Sequence, residues 1–188
     1  NFNASKGYVS ADLTGSGNFT MNSTNNRVIL AGTNGWAGTT VISNGTLKPL
    51  TAAALPSYLS GAITIGASGI LEIDTGSWTE MQVTGLLANS GLVVTAGGAV
   101  ALNTAAGDFG ISSAVTNATL GIKKLGANTL TLSAANTFEG KLTINAGTVR
   151  IDAGDGGALA AVPLVFSGTG TFNYDNTTAT DAVSQGLG

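Results

Sequence analysis

The sequence predicts an all-β chain whose short strands stack as a parallel β-helix, a β-solenoid, with a β-sandwich as the alternative. Three observations favour the solenoid: a strand pattern recurs within the chain, the turns are small and polar at recurring positions, and often only two to four residues separate successive strands. Internal repetition of this kind is typical of solenoids, in which each coil packs only against its neighbours.

The clearest pattern is the block at residues 130–151, in which two short alternating strands flank a polar turn and a third strand follows a glycine. Alternation of apolar and polar residues predicts strands with one inward face, and it fixes their register. A degenerate copy of this block lies 102 residues upstream and aligns with it without a gap. The chain is therefore predicted to be a repeat protein.

The two copies share apolar positions, an asparagine turn and a pair of glycines. In the second copy these repeat residues are Leu132, Asn136, Phe138, Gly140, Ile144 and Gly147, and in the first they are Leu30, Asn34, Trp36, Gly38, Ile42 and Gly45. Asparagine side chains bond to nearby backbone in turns and can form ladders between stacked chains, so a structural role is expected for both. Trp36 occupies the position of Phe138, which favours packing at a corner over stacking on a sugar ring.

A second pattern, in which two apolar-x-apolar triplets flank a glycine, occurs at residues 63–73, 92–102 and 164–174. The first and third occurrences lie 101 residues apart, close to the 102-residue spacing of the block. These spacings indicate a super-repeat of about 102 residues that is divided into coils of unequal length. Coils of roughly 20 to 29 residues predict about 7 to 9 coils and a rod of about 35 to 45 Å.

Short strands of four or five residues are predicted throughout a single domain that spans residues 1–188, with little helix. The predicted strands are 27–31, 39–43, 62–65, 70–73, 92–95, 99–102, 129–133, 141–145, 148–152, 162–166 and 171–174. Glycine, asparagine, serine and threonine dominate the connections, and no linker is evident.

Composition excludes several classes of protein. Hydrophobic residues make up 43% and charged residues 9% of the chain, which is unlike a disordered protein. The net charge of −3 and the lack of a basic stripe argue against nucleic-acid binding. No apolar run approaches the roughly 20 residues of a membrane helix. Cysteine and histidine are absent, which removes disulfides and the commonest general base and metal ligand. Both ends lie within the pattern, so a processed product or part of a longer chain is expected.

Residues 120–151 resemble the autotransporter-associated β-strand repeat of bacterial passenger domains. The residues that carry the resemblance are Lys124, Gly126, Thr129, Leu130, Thr131, Leu132, Ser133, Asn136, Thr137, Phe138, Gly140, Thr143, Ile144, Asn145, Gly147 and Thr148. Val149 stands where that repeat usually has leucine. The resemblance implies a right-handed parallel β-helix that is displayed on, or released from, a Gram-negative cell surface. It does not imply any one activity.

Three carboxylates, Glu72, Asp74 and Glu80, lie close together in the sequence. Glu72 and Asp74 share a strand face opposite Leu71 and Ile73, and two such groups could serve a glycosidase if they lay about 5 to 9.5 Å apart. A solvated outer face that runs into a turn is the preferred interpretation, because two exposed acids on a strand are ordinary.

Two further features resemble ligand sites. Asp152 and Asp155, with the glycines between residues 152 and 157, could supply oxygen ligands to calcium, but their spacing fits neither an EF-hand loop nor a calcium-binding solenoid repeat. A plain turn is favoured there. Trp78 has no counterpart in the other copy, so it is a weak ligand-contact candidate and the better candidate for an exposed aromatic side chain.

Taken together, these features predict a non-enzymatic extracellular rod, a surface-displayed stalk or adhesin segment without catalytic residues, cofactor or metal. Its expected partners are neighbouring solenoid segments or copies of itself, with cell-surface glycans or proteins as further candidates, and neither nucleic acid nor a membrane. A self-assembling head-to-tail filament or surface-layer protein is one alternative, since uncapped solenoid ends present unpaired strand edges. A polysaccharide-degrading β-helix enzyme is another, supported by fold analogy alone.

Overall fold

The computed structural model describes residues 1–177. They form a β-solenoid of about 8 turns in which the described strands pair in parallel. This confirms the predicted solenoid. It contradicts the β-sandwich alternative, because a sandwich is built from antiparallel sheets.

Eighteen strands are present in the described part of the chain, most of them short. They are β1 (Phe2–Ala4), β2 (Gly7–Val9), β3 (Thr14–Gly15), β4 (Phe19–Leu30), β5 (Gly35–Trp36), β6 (Thr40–Pro49), β7 (Ile63–Asp74), β8 (Leu92–Val94), β9 (Ala99–Asn103), β10 (Phe109–Ile111), β11 (Ile122–Leu125), β12 (Thr129–Leu132), β13 (Ala135–Asn136), β14 (Leu142–Ile144), β15 (Thr148–Asp152), β16 (Ala158–Leu159), β17 (Leu164–Phe166) and β18 (Thr171–Asp175). One α-helix, α1 (Glu80–Leu87), and two 3-10 turns, Ala52–Ala54 and Ala153–Asp155, complete the described elements.

The main sheet runs along the rod in the order β1-β4-β6-β7-β9-β11-β14-β17, with β2 beside β4 and β8 beside β7. A second sheet, β10-β12-β15-β18, lies only in the C-terminal half, and two small sheets pair β3 with β5 and β13 with β16. Residues at every second strand position point inward and form one continuous apolar core. Burying each such leucine or isoleucine contributes about 1.5 to 3 kcal/mol, so the stack of coils is the main source of stability.

Three strands are much longer than the predicted four or five residues, since β4 and β7 have 12 residues each and β6 has 10. Each of these strands turns a corner of the coil without leaving the sheet. Register shifts between Asn22 and Arg27 and between Ile42 and Asn44 mark the corners, and Asn25 takes a φ of 60° there. The prediction of separate strands was wrong at these places because a bulge lets a strand bend while its ladder continues.

The coils differ in length. Phe2 pairs with Phe19, Phe19 with Thr40, Thr40 with Ile63, and Ile63 with Leu92, so successive coils advance by 17, 21, 23 and 29 residues. The longest of these coils contains α1. The sequence signal for this helix is the capping box, in which Thr79 accepts from the Gln82 N–H and the Gln82 side chain accepts from the Thr79 N–H.

The sequence repeat and the coils are out of phase. One ladder of the main sheet contains Val28, Leu47, Leu71, Val100, Ile122, Leu142 and Leu164. Val28 aligns in sequence with Leu130, yet Leu130 lies 12 residues before Leu142 and belongs to β12 in the second sheet. The second copy of the repeat is therefore moved by one strand position around the rod.

Candidate functional site

The two repeat asparagines each tie three successive coils together. Asn34 Oδ1 accepts a hydrogen bond from the backbone N–H of Leu13, 2.8 Å away, and its Nδ2 donates to the carbonyl of Ala54 at 2.9 Å. Leu13 lies one coil before Asn34 and Ala54 one coil after it. Asn34 is only 6% exposed, so these bonds satisfy backbone groups that water reaches poorly.

Asn136 makes the same set of contacts in the second copy. Its Oδ1 accepts from the Val115 N–H at 3.0 Å, and its Nδ2 donates to the Ala158 carbonyl at 3.1 Å. A further bond within the coil joins each asparagine to a nearby carbonyl, that of Ala31 or Ala134. The shared asparagine thus marks a side-chain link between coils.

Both aromatic residues of the repeat pack inside the rod. Phe138 is fully buried, and Trp36 is 6% exposed with its Nε1 donating to Thr40 Oγ1 at 3.1 Å. Trp36 also stacks on Phe19, and Phe19 on Phe2, with ring centroids 5.1 and 5.5 Å apart. This aromatic stack follows the rod axis, and neither repeat aromatic offers a free ring face to a ligand.

The second glycine of each repeat occupies a tight corner. Gly45 and Gly147 have φ values of 82° and 67°, in the left-handed region that favours glycine. A Cβ at Gly147 would lie 2.5 Å from the carbonyl oxygens of Gly126 and Asn128, and one at Gly45 would meet the Ser23 carbonyl. Space and backbone conformation therefore both require glycine.

Lys124 is a buried lysine that sequence reasoning missed. Its side chain is fully buried, and its ammonium donates to the carbonyls of Leu125, Gly126 and Ala146 at 2.9, 2.8 and 3.0 Å. Burial lowers the pKa of this ammonium to about 8, and the nearby Asp108 carboxylate opposes that shift. Lys124 has the same parity as the inward Ile122, which is the signal that could have revealed it.

The expected solvated face at Glu72 and Asp74 is wrong for Glu72, which is 2% exposed. Its carboxylate pairs with Arg27 at 2.7 Å and with Lys48 at 3.3 Å, and it accepts from Asn103 Nδ2 at 3.1 Å. Lys48 and Asn103 lie on the two adjacent coils and Arg27 lies two coils away, and together they cover the carboxylate. Lys48 also pairs with Asp74 at 3.3 Å, so this charge network links four coils on the outside of the main sheet.

Trp78, the weak ligand-contact candidate, is not exposed either. Trp78 is 2% exposed and packs edge to face against Tyr58, with ring centroids 5.4 Å apart. Its Nε1 is buried and has no hydrogen-bond partner among residues 1–177. The indole is thus buried and has no open face for a sugar ring.

The third carboxylate, Glu80, lies apart from Glu72 and Asp74. Its Oε1 accepts from both the N–H and the Oγ of Ser112 at 2.6 Å. These hydrogen bonds lower the pKa of Glu80. They fasten α1 to the coil that contains β10, so Glu80 acts as a structural contact.

Asp152 belongs to an ion pair with Arg150 at 3.0 Å, and its backbone carbonyl accepts from the Gly157 N–H in a turn. Asp155 lies in the short 3-10 turn that follows β15. Nowhere in residues 1–177 do three or more metal-binding acid side chains lie together. Within the same residues no helix is long and apolar enough to cross a membrane.

The two segments that contain Asn34 and Asn136, called the asparagine corners below, match a known family of repeats. The family model of the passenger-associated-transport-repeat matches residues 13–48 and 122–151. Two segments of the chain are thus similar to this repeat. The matched segments contain Asn34 and Asn136 with their glycine pairs, which confirms the resemblance expected from the sequence. No curated protein and no solved structure matches the chain.

Proposed function

We propose that this chain is a non-enzymatic, extracellular rod: a passenger-type stalk or adhesin segment displayed on the surface of a Gram-negative bacterium. The observation that supports this most is the pair of passenger-associated repeats, each of which links three coils through a buried asparagine. About 8 turns at roughly 4.8 Å per turn give a rod of about 40 Å. Such a rod would hold neighbouring segments away from the cell.

A structural role also agrees with the state of the acidic side chains. Glu72 and Asp74 were the strongest candidates for catalytic carboxylates, and both are engaged in ion pairs with Lys48. Glu72 is only 2% exposed beneath its partners, so a glycan has little access to its carboxylate. This favours a mechanical function over glycan hydrolysis.

Surface display is tested with the full-length protein in the bacterium that encodes it. An antibody raised against residues 1–177 should label intact cells, and external protease should remove the label. A periplasmic protein serves as the control, and it should be labelled only after permeabilisation. Labelling of the rod in permeabilised cells alone would overturn the surface assignment.

Head-to-tail assembly is a second candidate, favoured by one end of the described rod. Among residues 1–177 the last strand of the main sheet, β17, pairs on one side only, and its Phe166 is 53% exposed. Unpaired strand edges promote association with another chain. Electron microscopy across a concentration series should show filaments that Phe166→Glu abolishes. Isolated short rods at every concentration would exclude this assembly.

A further inference from the structure

A trough of about 300 Å³ crosses the outside of the C-terminal half, running from one coil to the next. Its floor includes Gly98, Gly121 and Gly140. A Cβ at Gly121 would lie 2.6 Å from the Gly98 carbonyl, and one at Gly140 would meet the Leu120 carbonyl. The floor must therefore stay free of side chains, because successive coils approach closely there.

Three charged side chains line this trough, namely Lys123, Glu139 and Lys141. None of them forms a hydrogen bond or an ion pair with another described residue. The other basic side chains of the rod are mostly engaged, since Arg27, Lys48, Lys124 and Arg150 all have partners. Two of the few unpaired cations of this acidic chain thus lie side by side.

Strand geometry sets the spacing of the two lysines. The Lys141 carbonyl accepts from the Ile122 N–H, and Lys123 is in register with Thr143 on the next coil. The lysines are therefore offset by one coil and two residues along the strand, so their Cα atoms lie about 8 Å apart. This spacing suits two successive acidic groups on one extended molecule.

The N-terminal copy provides an uncharged counterpart. A trough of about 340 Å³ passes over Gly38, which corresponds to Gly140 in the repeat, and no charged residue lines it. The close approach of coils at the glycines explains why both troughs exist. It does not explain why lysines line the C-terminal trough and not the N-terminal one.

We propose that the charged trough binds an extended acidic polysaccharide, with Lys123 and Lys141 pairing to successive carboxylate or sulfate groups. The trough runs across the strands and offers no free strand edge, which disfavours an added peptide strand. Two cations on a chain of net charge −3 are too few for nucleic acid. The inference deepens the adhesive part of the proposed function and rests on it.

Exposed ion pairs are individually weak, so a single rod should bind in the millimolar range. Several copies displayed together would raise the effective affinity. Glu139 lies in the same trough and should repel the ligand. Its removal is therefore expected to tighten binding of an anionic ligand and to leave binding of a neutral sugar unchanged.

The test is an amide NMR titration of the purified chain with three hexasaccharides: an oligogalacturonate, a heparin-derived fragment and neutral maltohexaose. Shifts are expected at residues 95–99, 121–123 and 139–143 with one or both acidic sugars, and the arm that binds distinguishes carboxylate from sulfate. The double variant Lys123→Gln/Lys141→Gln should raise Kd about fivefold or more, and Glu139→Gln should lower it about twofold. Lys6→Gln, which removes a lysine outside the trough, is the matched control and should change Kd less than twofold.

Several outcomes would overturn the proposal. They are the absence of shifts at millimolar sugar, equal binding of maltohexaose, an unchanged Kd in the double variant, and an equal loss in Lys6→Gln. A parallel titration with an oligoglutamate tests an acidic peptide, and equally tight binding of it would overturn the assignment to a polysaccharide. Because the titration is done in solution, it can fail while cell-surface labelling succeeds, so the two proposals are tested separately.

Discussion

The N-terminal repeat, residues 13–48, and the C-terminal repeat, residues 122–151, use the same side chains at their corners but occupy different places around the rod. Asn34 and Asn136 make equivalent bonds to the coils before and after them. The strand before the asparagine lies in the main sheet in the first copy and in the second sheet in the other. The asparagine corner therefore forms in the same way whichever of the two sheets the preceding strand belongs to.

The surroundings of the two corners differ in their aromatic packing. Trp36 continues an aromatic stack through Phe19 and Phe2, whereas Phe138 has no ring contact with another described residue. A stacked pair contributes about 0.5 to 1.5 kcal/mol beyond the area it buries. The two corners should therefore respond alike to loss of the asparagine but differently to changes of the aromatic ring.

The largest expected effect is loss of either repeat aromatic. Phe138→Ala and Trp36→Ala should each lower the free energy of unfolding by about 3 to 5 kcal/mol, because each leaves a cavity in the core. Trp36→Ala should cost more, since the stacking on Phe19 is lost as well. Urea unfolding followed by circular dichroism measures both, with the exposed Thr137→Ala as the control. A smaller loss for Trp36→Ala would contradict the contribution of the aromatic stack.

Next in size is loss of the repeat asparagines. Asn34→Ala and Asn136→Ala should each cost about 2 to 3 kcal/mol, because each removes the acceptor of one backbone N–H and the donor to two backbone carbonyls. In the same unfolding experiment, the two losses in the free energy of unfolding should agree within about 0.5 kcal/mol if the corner contributes equally beside either sheet. Asn44→Ala is the control, since Asn44 bonds only to Asn22 on an exposed face. Two very different values would break the equivalence of the corners.

A smaller effect is expected from the charge network of the N-terminal half. Glu72→Gln loses the ion pairs with both Arg27 and Lys48, and its single amide oxygen can replace only one of the two carboxylate oxygens, which should cost about 1 to 2 kcal/mol. Glu139→Gln removes a carboxylate without an ion pair and should be neutral. Thermal unfolding compares the two variants with the native chain. A gain in stability for Glu72→Gln would mean that desolvation of the carboxylate outweighs its pairing.

The last effect concerns pH and the C-terminal half. The pKa of Lys124 is lowered to about 8 by burial, while in the unfolded chain it returns to its ordinary value of about 10.5. Between these values the unfolded state binds more protons, so stability should rise as pH increases from about 8 to 10.5. The linkage across this window amounts to about 2 to 3 kcal/mol, so a rise in Tm of roughly 5 to 10 °C is expected.

Lys124→Met isolates this contribution, because the other titrating groups are retained. The difference in Tm between the native chain and Lys124→Met should change with pH across that window. A constant difference would mean that the three carbonyl bonds hold the ammonium at its ordinary pKa. The N-terminal repeat has Asn22 at the aligned position, so no counterpart of this titration is expected there.

Residues whose role depends on local geometry could be predicted from the sequence. The asparagine turns, the glycine corners and the inward alternation of β12, β14 and β15 all appear where the pattern placed them. Glu72 and Trp78 could not be placed, because their burial comes from partners on other coils. Arg27 and Lys48 cover Glu72, and Tyr58 packs on Trp78, from sequence distances that no local pattern encodes.

The sequence by itself determined the strand alternation, the corner chemistry and the repeat family, because each depends on neighbouring residues and on backbone preferences at turns. Only the tertiary structure decided which strands share a ladder. Coil lengths of 17, 21, 23 and 29 residues accumulate along the rod, so a 102-residue repeat does not return to the same sheet position. Each coil pairs its strands with those of the coils beside it, which leaves few unpaired strand edges. This pairing between distant residues places Leu130 in the second sheet and buries Lys124.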